Sequence, residues 1–498
     1  MQTLSNAIQW WAKNTPDMVV LSIGGKGITY REYADWAERI AARLIAAGVA
    51  IGDRIAICAA NSFDYCALIM GVIRAGAIVT PLNIRYTAHE LGEIVEDTTP
   101  RFVFADEERA PKFAELGVSL RPLSDVSALR HGAPAQVERT LDPDLPVVII
   151  STSGSTAKPK GVVFTHRTMI SYVSGFALEE GGLSSGGRVI VVAPLSTSAG
   201  FVQLIHYSVM GCSLYLEPVF VPERFLEIIV NDRINGFGAV PTFFERIAAC
   251  PGFADADLSS LKIATTGGAR VSRALQDTWA AKGVIIRQIY GQTECGGNAT
   301  IMPANLAAQY PEKCGSGGIF TELAVINAEG NRLPPGTPGE IIIRGPGTMI
   351  GYWNNPEATA ATIKDGWLHT GDLGVLDEEG MLTFVDRLKD IIISGGLNIS
   401  AAEVERCLGE FPGVEEAAVI AASDAKFGET PLAIVYGSQP IDGRQLIEHC
   451  NARLADYKVP RYLVIEPEPL PRLATQKISK PALRAKYKEA ATQLARVR

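Results

Sequence analysis

Leu145-Pro-Val-Val-Ile-Ile150 runs straight into Ser151-Thr-Ser-Gly-Ser-Thr-Ala-Lys-Pro-Lys-Gly161. The first half is a short, unbroken apolar run. It predicts a strand buried on both faces, as in a layered α/β domain. The second half carries five hydroxyl side chains, two lysines and two glycines. Short hydroxyls and freed backbone N–H groups can ring an anion, and lysines add charge. The pair therefore reads as a strand that delivers a phosphate-binding loop. It is not a Walker loop, because Pro159 stands where the second glycine would be needed. Taken alone, the run also suits a solvated surface loop.

Upstream, helix-like and strand-like segments alternate. Tyr30–Ala47 and Asp64–Ala75 read as helices, and Arg54–Ala59 and Arg101–Ala105 as buried strands. Residues 107–142 show no clear period and read as peripheral. Downstream, further strands are expected at Arg188–Ala193, Ser213–Leu216, Ile285–Tyr290 and Glu340–Arg344. The alternation predicts an α/β fold with a large N-terminal body. A strand closes at Phe384-Val385, and the charged run Asp386-Arg-Leu-Lys-Asp390 marks a boundary. A small α+β unit should follow. Ser400-Ala-Ala-Glu403 matches a capping box and starts a helix through about Leu408. Strands at Ala417–Ala421, Leu432–Tyr436 and Tyr462–Ile465, a helix at Gly443–Leu454 and a basic helical tail complete it. The expected division is residues 1–388 and 389–498.

The chain has 498 residues, a size that affords a sizeable core and excludes wholesale disorder. Its net charge of −8 argues against a nucleic-acid partner. The eight cysteines form no C-x-x-C pair, and reduced thiols in the cytoplasm are expected. The longest apolar run, Cys66 to Leu82, is interrupted by Arg74 and is too short to span a membrane. The N-terminus lacks the basic region of a secretory signal.

Four further motifs carry chemistry. Tyr290-Gly-Gln-Thr-Glu294 closes a strand with an aromatic, a glycine, a hydroxyl and a carboxylate. These can stack on a base, admit a ligand, donate to phosphate and hold Mg²⁺. Thr370-Gly-Asp372 places a carboxylate after a turn, where it can accept from ribose hydroxyls. The others are Arg387-Leu-Lys-Asp-Ile-Ile-Ile-Ser-Gly-Gly396 and Leu470-Pro-Arg-Leu-Ala-Thr-Gln-Lys477.

Together and in this order, the five motifs resemble the adenylate-forming superfamily of acyl- and aryl-CoA synthetases, peptide-synthetase adenylation domains and luciferases. Gly52-Asp53-Arg54, Asn61, Ala75-Gly76-Ala77, Pro81-Leu82-Asn83, Val240-Pro241-Thr242, Gly267-Gly268-Ala269 and Gly351-Tyr352-Trp353 extend the resemblance over nearly the whole chain. It implies that a carboxylate attacks the α-phosphate of Mg·ATP, and that a thiol then displaces AMP from the acyl-adenylate. The implied thiol is CoA; a carrier protein is the alternative, and a catalytically weak nucleotide-binding or acyl-binding paralogue is a third reading. ATP, Mg²⁺ and CoA are the implied small molecules, and a homodimer is left open.

The resemblance assigns roles residue by residue. Thr152, Ser153, Gly154, Ser155, Thr156 and Lys160 match the phosphate loop, and Gly267, Gly268 and Ala269 the adenine-side strand. Tyr290 and Gly291 match the base-stacking position. Thr293 and Glu294 match the phosphate and Mg²⁺ contacts, with Thr156 beside the metal. Asp372 and Arg387 match the ribose contacts. Lys477 matches the lysine that bridges carboxylate and α-phosphate. Lys389 matches a hinge, and Ser394, Gly395 and Gly396 a slot for the pantetheine arm. Phe201, Val240, Phe243, Gly267, Ile289, Gly291, Asn298 and Ile301 match the lining of the acid pocket. No arginine or lysine is placed among them, so a hydrophobic aromatic or medium-chain monoacid is expected.

Departures from the family pattern are Ala157 and Gln476 in place of glycines, and Ser196-Thr197 in place of an aromatic-His pair. Gly317 and Phe320 replace the usual valine and proline. His166 and His369 lie beside motifs but are expected to be positional, because adenylation needs no protein base. His89-Glu90 fails H-E-x-x-H at Glu93.

Overall fold

The computed structural model describes residues 3–152, 159–179, 183, 185–269, 271–424, 426–473, 477–489 and 494–497. Two compact units emerge. One holds Met1–Ala324, Ile342–Thr370 and Asp377–Leu382; the other holds Val325–Ile341, Gly371–Leu376 and Thr383–Arg498.

The first unit contains two seven-stranded sheets. In one sheet the order is Gly351–Tyr352, Lys160–Thr165, Pro146–Thr152, Ile78–Pro81, Arg54–Cys58, Phe102–Ala105 and Leu120–Pro122. Arg54–Cys58 is flanked by parallel neighbours on both sides, and all but its first residue is buried. This is the pattern its apolar sequence predicts. Tyr30–Ala46 begins on a complete Thr29–Glu32 capping box, which satisfies two backbone donors of its first turn. Its buried face (Tyr33, Ala37, Ile40, Leu44) packs against Phe63–Ala75, itself a nearly all-buried helix.

The second sheet of this unit has the order Ile286–Gln288, Ile263–Thr266, Gly236–Ala239, Arg188–Val191, Ser213–Leu216, Val19–Ile23 and Lys26–Thr29. Its first six strands pair in parallel, and the last closes an antiparallel hairpin. On one face of the Gly236, Ile263 and Ile286 strands lies a core of Phe237, Phe244, Leu275, Trp279 and Ile286. Their opposite face carries the site described below.

The second unit contains a sheet in which Gly428–Tyr436 pairs with Glu416–Asp424, Ile391–Ser394 and Tyr462–Glu466. Alternation gives it two apolar faces. Val419, Ala433 and Val435 meet the helices Ala401–Gly409 and Gly443–Asn451, while Ile420, Leu432 and Ile434 meet Leu470 and Leu483.

Local expectations fail in instructive places. The strand Leu382–Arg387 does not stop at Val385: it carries Asp386 and Arg387, and only Leu388–Asp390 turn. Asp386 is buried because its carboxylate accepts from Ser400 Oγ (2.8 Å) and from the Ala402 N–H (2.8 Å). It thereby satisfies a first-turn donor of the next helix from outside, Ser400 accepts from the Glu403 N–H, and the Glu403 carboxylate accepts from Lys458 Nζ (2.7 Å) in place of the expected capping-box bond. The described tail helix is confined to Lys480–Lys486. All eight cysteines are free and buried. Among the described residues no helix is long and apolar enough to cross a membrane.

Candidate functional site

The apolar strand Pro146–Thr152 returns antiparallel as Lys160–Thr165, with Thr152 opposite Lys160. The loop motif thus joins two adjacent strand ends. Ser153, Gly154, Ser155, Thr156 and Ala157 lie outside the described residues; Thr152 and Lys160 lie within them. Thr152 Oγ1 donates to the Lys160 carbonyl at 3.3 Å.

The short strand Gly351–Tyr352 pairs with Val162 and Val163, close to the Lys160 end of that strand. Trp353 N–H donates to the Gly161 carbonyl (2.7 Å), and Met349 N–H to the Glu294 carbonyl (2.8 Å). These bonds bring three distant motifs together. Lys160 Nζ stands 5.0 Å from the Tyr352 ring centroid, within cation–π range. The Tyr352 hydroxyl donates to Glu294 Oε1 at 2.9 Å. Burial and the neighbouring Glu294 charge push the Tyr352 pKa well up, so its hydroxyl stays a donor. Lysine, tyrosine and carboxylate form one aligned chain.

No lysine or arginine among the described residues forms an ion pair with Glu294, and its carboxylate is a hard oxygen donor. That donor set fits Mg²⁺, which binds through one or two carboxylates and otherwise through phosphates and water. Tyr352→Phe keeps the ring beneath Lys160 and deletes the hydroxyl. We expect the Mg²⁺ requirement for pyrophosphate release to rise about tenfold, the usual cost of losing an outer-shell partner. A Mg²⁺ titration of the initial rate checks this.

The strand Ile286–Gln288 leads into Tyr290, and Ile289 N–H continues the sheet by donating to the Thr266 carbonyl (2.9 Å). Tyr290 is buried, with its N–H on Thr300 Oγ1 (2.7 Å) and its carbonyl accepting from Ala299. Gly291 is required by close backbone approach: a Cβ there would lie 1.9 Å from the Gly297 carbonyl oxygen. Gly291→Ala should therefore destabilise the unit by about 1–3 kcal/mol, read as a lowered Tm, and should abolish nucleotide binding. Gly267 sits against Ile289, where a Cβ would meet Ile289 Cγ1 at 2.9 Å. Gly268 has a positive φ of 77°. Thr293 and Glu294 belong to a short 3-10 turn, Thr293–Cys295.

Ile289, Asn298 and Ile301 line one cavity, together with Phe176, Thr265, Arg287 and Met302. Three of the expected acid-pocket residues thus meet. Gly267 and Gly291 lie beside them, against Ile289 and Asn298. Phe201, Val240 and Phe243 do not line it. Phe201 is fully buried in the helix Ser198–Val209, Val240 is exposed, and Phe243 meets Phe220 edge to face (centroids 4.5 Å, planes at 86°). The expectation that no cation stands near the pocket overlooked Arg287. Period-two alternation from Ile289 was the available signal.

The departures have local causes. Thr197 caps the helix Ser198–Val209, accepting from the Gly200 N–H and donating to the Pro194 carbonyl (2.7 Å). Gly317 is forced, since a Cβ would sit 2.2 Å from the Thr321 carbonyl oxygen. Gln476 lies outside the described residues. His166 is buried, its Nδ1 accepts from the Leu4 N–H (3.3 Å), and burial lowers its pKa to about 4. It is a neutral positional residue.

In the second unit, Asp372 is buried in the strand Trp367–Leu376, and Arg387 Nε stands 3.7 Å from its Oδ1. Lys477 belongs to the same electrostatic neighbourhood. The residue is exposed, but its ammonium stands among crowded atoms. That partial burial, then the Arg387 charge, hold its pKa below the ordinary lysine range against the pull of Asp372. Lys389, in the turn Leu388–Asp390, is lowered first by burial and then by Arg387. Ser394 and Leu397 close a hairpin through Gly395 and Gly396, both with positive φ (59° and 82°), as a two-residue primed turn requires. Its flanks expose Ile393 and Leu397.

A family model described as AMP-binding enzyme matches residues 8–353, and its C-terminal domain model matches residues 403–477. The chain is 36% identical to a feruloyl-CoA synthase of Amycolatopsis sp over 96% of its own length and 97% of that protein's. It is 35% identical to a long-chain-fatty-acid–CoA ligase of Mycobacterium tuberculosis, over 92% and 93% of the two chains. Among solved structures, the o-succinylbenzoate CoA synthetase of Bacillus subtilis with its acyl-adenylate intermediate superposes at TM-score 0.88. That pair is 29% identical and covers 96% and 98% of the chains. The same synthetase has also been solved with ATP and magnesium ion.

Proposed function

The chain belongs to the AMP-binding, adenylate-forming enzymes and is an AMP-forming acid–thiol ligase that uses ATP, Mg²⁺ and CoA; from that premise we propose how its own residues divide the work and which acid they accept. The observation that carries the proposal is the aligned Lys160–Tyr352–Glu294 chain beside the phosphate-loop strands.

Thr152, Lys160, the hydroxyls of Ser153, Ser155 and Thr156 and the backbone at Gly154 hold the ATP phosphates. Thr293 donates to the α-phosphate side. Glu294, oriented by Tyr352, would hold Mg²⁺ together with Thr156, and the ion would supply charge neutralisation at the phosphates. Tyr290 stacks on adenine beside Gly267, Gly268 and Ala269, and Asp372 with Arg387 takes the ribose. The cavity at Ile289, Asn298 and Ile301 receives an acid with a hydrophobic aromatic or medium-chain body. Its carboxylate attacks the α-phosphorus. Lys477 bridges the attacking oxygen and the α-phosphate, balancing charge that grows in the transition state. Pyrophosphate leaves. The CoA thiol then attacks the acyl carbon and AMP leaves. Pantetheine passes the hairpin at Ser394, Gly395 and Gly396.

We further propose that residues 389–498 alternate between two poses about Lys389, one for each half-reaction. The protein works in a reducing cytoplasm, consistent with its buried free thiols. An acid panel tests the reading. ATP, Mg²⁺ and acids of varied chain length and ring substitution should give acid-dependent pyrophosphate, and CoA should convert the adenylate to thioester. Release of ADP, or an adenylate that persists despite CoA, would overturn it.

A further inference from the structure

The limb that carries Lys477 is held on both sides. Residues 471–473 and 477–479 run antiparallel. Arg472 bridges Ile478, the Leu473 N–H donates to the Lys477 carbonyl (2.8 Å), and the Ser479 N–H donates to the Pro471 carbonyl (2.6 Å). The backbone of Lys477 is thereby fixed to a partner segment. Glu416 anchors the outgoing side: its carboxylate accepts from the Leu470 N–H (2.7 Å) and pairs with Arg472. Leu470 itself is buried against the sheet with Leu432 and Ile434.

The returning side enters the helix Lys480–Lys486, which Ser479 caps by accepting from the Ala482 N–H (3.4 Å). Lys480 and Arg484 are four residues apart and share one helix face. Both meet Asp390. Arg484 Nη2 stands 2.5 Å from Asp390 Oδ1, and Lys480 Nζ stands 3.9 Å from Oδ2. Lys480 also pairs with Glu405 Oε1 at 2.8 Å, and that oxygen accepts from the Val419 N–H (2.7 Å). The Asp390 side chain is only 10% exposed, so solvent screens these pairs little. Removing the anion would leave its cations poorly matched. Asp390 closes the turn Leu388–Asp390. One carboxylate thus joins the turn at Lys389 to the helix that begins three residues after Lys477.

We propose that Asp390 is a positioning residue for adenylation: through Arg484 and Lys480 it fixes where Lys477 stands relative to the turn Leu388–Asp390. The inference rests on the role given to Lys477 above and adds the group that holds that lysine in place. Two carboxylates share the task. Glu416 sets the outgoing side and Asp390 the returning side, and of the two only Asp390 belongs to the turn. The hairpin at Gly395 and Gly396 hangs from a different support, the ladder of Ile391–Ser394 with Leu397–Ser400. Loosening the helix Lys480–Lys486 therefore displaces Lys477 and leaves the hairpin in place.

The test uses the full-length protein, with octanoic and 3-phenylpropenoic acids as probes and the two half-reactions read separately. Asp390→Asn keeps the shape and removes the charge. The maximal rate of pyrophosphate release should fall on the order of 10–100-fold, as for a reacting group displaced by about 1 Å, with the KM for acid changed less than about threefold. Thioester formation from supplied acyl-adenylate should fall less than about threefold. Asp390→Glu should recover part of the loss. In a Lys477→Ala background, Asp390→Asn should cost less than about threefold more, because the lysine it positions is gone. Hydrogen exchange at residues 477–486 should quicken in Asp390→Asn, while that of Gly428–Tyr436 stays unchanged. Arg484→Gln breaks the same tie from the other side, so the prediction stands even if an Asp390 variant fails to fold. Equal losses in both half-reactions, full additivity with Lys477→Ala, or unchanged exchange at 477–486 would each overturn the inference. If Lys477→Ala leaves adenylation intact, or neither acid is adenylated, the reading of Lys477 or of the substrate fails, and hydrogen exchange still decides whether Asp390 holds the limb.

Discussion

Lys477→Ala should reduce acyl-adenylate formation by on the order of 10²–10³-fold while largely sparing thioester formation from supplied acyl-adenylate. The magnitude is that of removing one preorganised donor from a developing charge, worth about 3–4 kcal/mol of barrier. The selectivity follows from chemistry. Adenylation brings an anionic carboxylate onto an anionic phosphate, and a cation between them acts only there. Thiolysis of the adenylate needs no such bridge. The environment of Lys477 adds a second signature. Crowding and the Arg387 charge favour the neutral amine, while Asp372 opposes them. The ammonium therefore loses its proton at a lower pH than an ordinary lysine does. The alkaline limb of the adenylation rate should fall below that range, and it should move up when Arg387 is replaced by Gln. Equal loss of both half-reactions in Lys477→Ala would remove the assigned role.

The second large effect belongs to Lys389→Pro. Proline fixes φ near −65° and restrains the residue before it. The turn Leu388–Asp390 sits among opposed charges: Arg387, Lys389 and Arg484 with Asp390 and Asp372. Arg484 and Lys480 both approach Asp390, so neighbouring cations anchor the residue after Lys389. If this turn pivots between half-reactions, freezing it should cost one half-reaction alone. Thioester formation should drop at least about a hundredfold, against less than about threefold for adenylation, by analogy with other hinge-gated steps. Lys389→Ala, which leaves φ free, should behave nearly as wild type. Equal rates in both steps for the proline variant would remove the hinge.

Much of this was legible because the relevant signals are local. Pro146–Thr152 is a strand because an unbroken apolar run needs cover on both faces, and the hydroxyl-rich motif follows it in sequence. Ser213–Leu216 and Arg54–Cys58 were readable for the same reason. Less legible were features set by tertiary partners. Asp386 looks like part of a charged break, yet it is buried in a strand because the next helix N-terminus needs its carboxylate. The strands Gly236–Ala239 and Ile263–Thr266 carry glycines or threonines, and their parallel partners, not their composition, make them strands. Tyr352 belonged to a recognised motif, but its bond to Glu294 spans 58 positions. Arg287 was hidden in plain alternation: it reads as a surface charge until Ile289 fixes which face it shares.

The most direct measurement is a single-turnover product analysis with labelled ATP, Mg²⁺ and an accepted acid, quenched before and after CoA is added. Before CoA, the account predicts pyrophosphate and enzyme-bound acyl-adenylate in equal amounts. After CoA, it predicts AMP and acyl-CoA in equal amounts, with the adenylate consumed. ADP and phosphate in place of AMP and pyrophosphate, or acyl-CoA formed without a preceding adenylate, would contradict it.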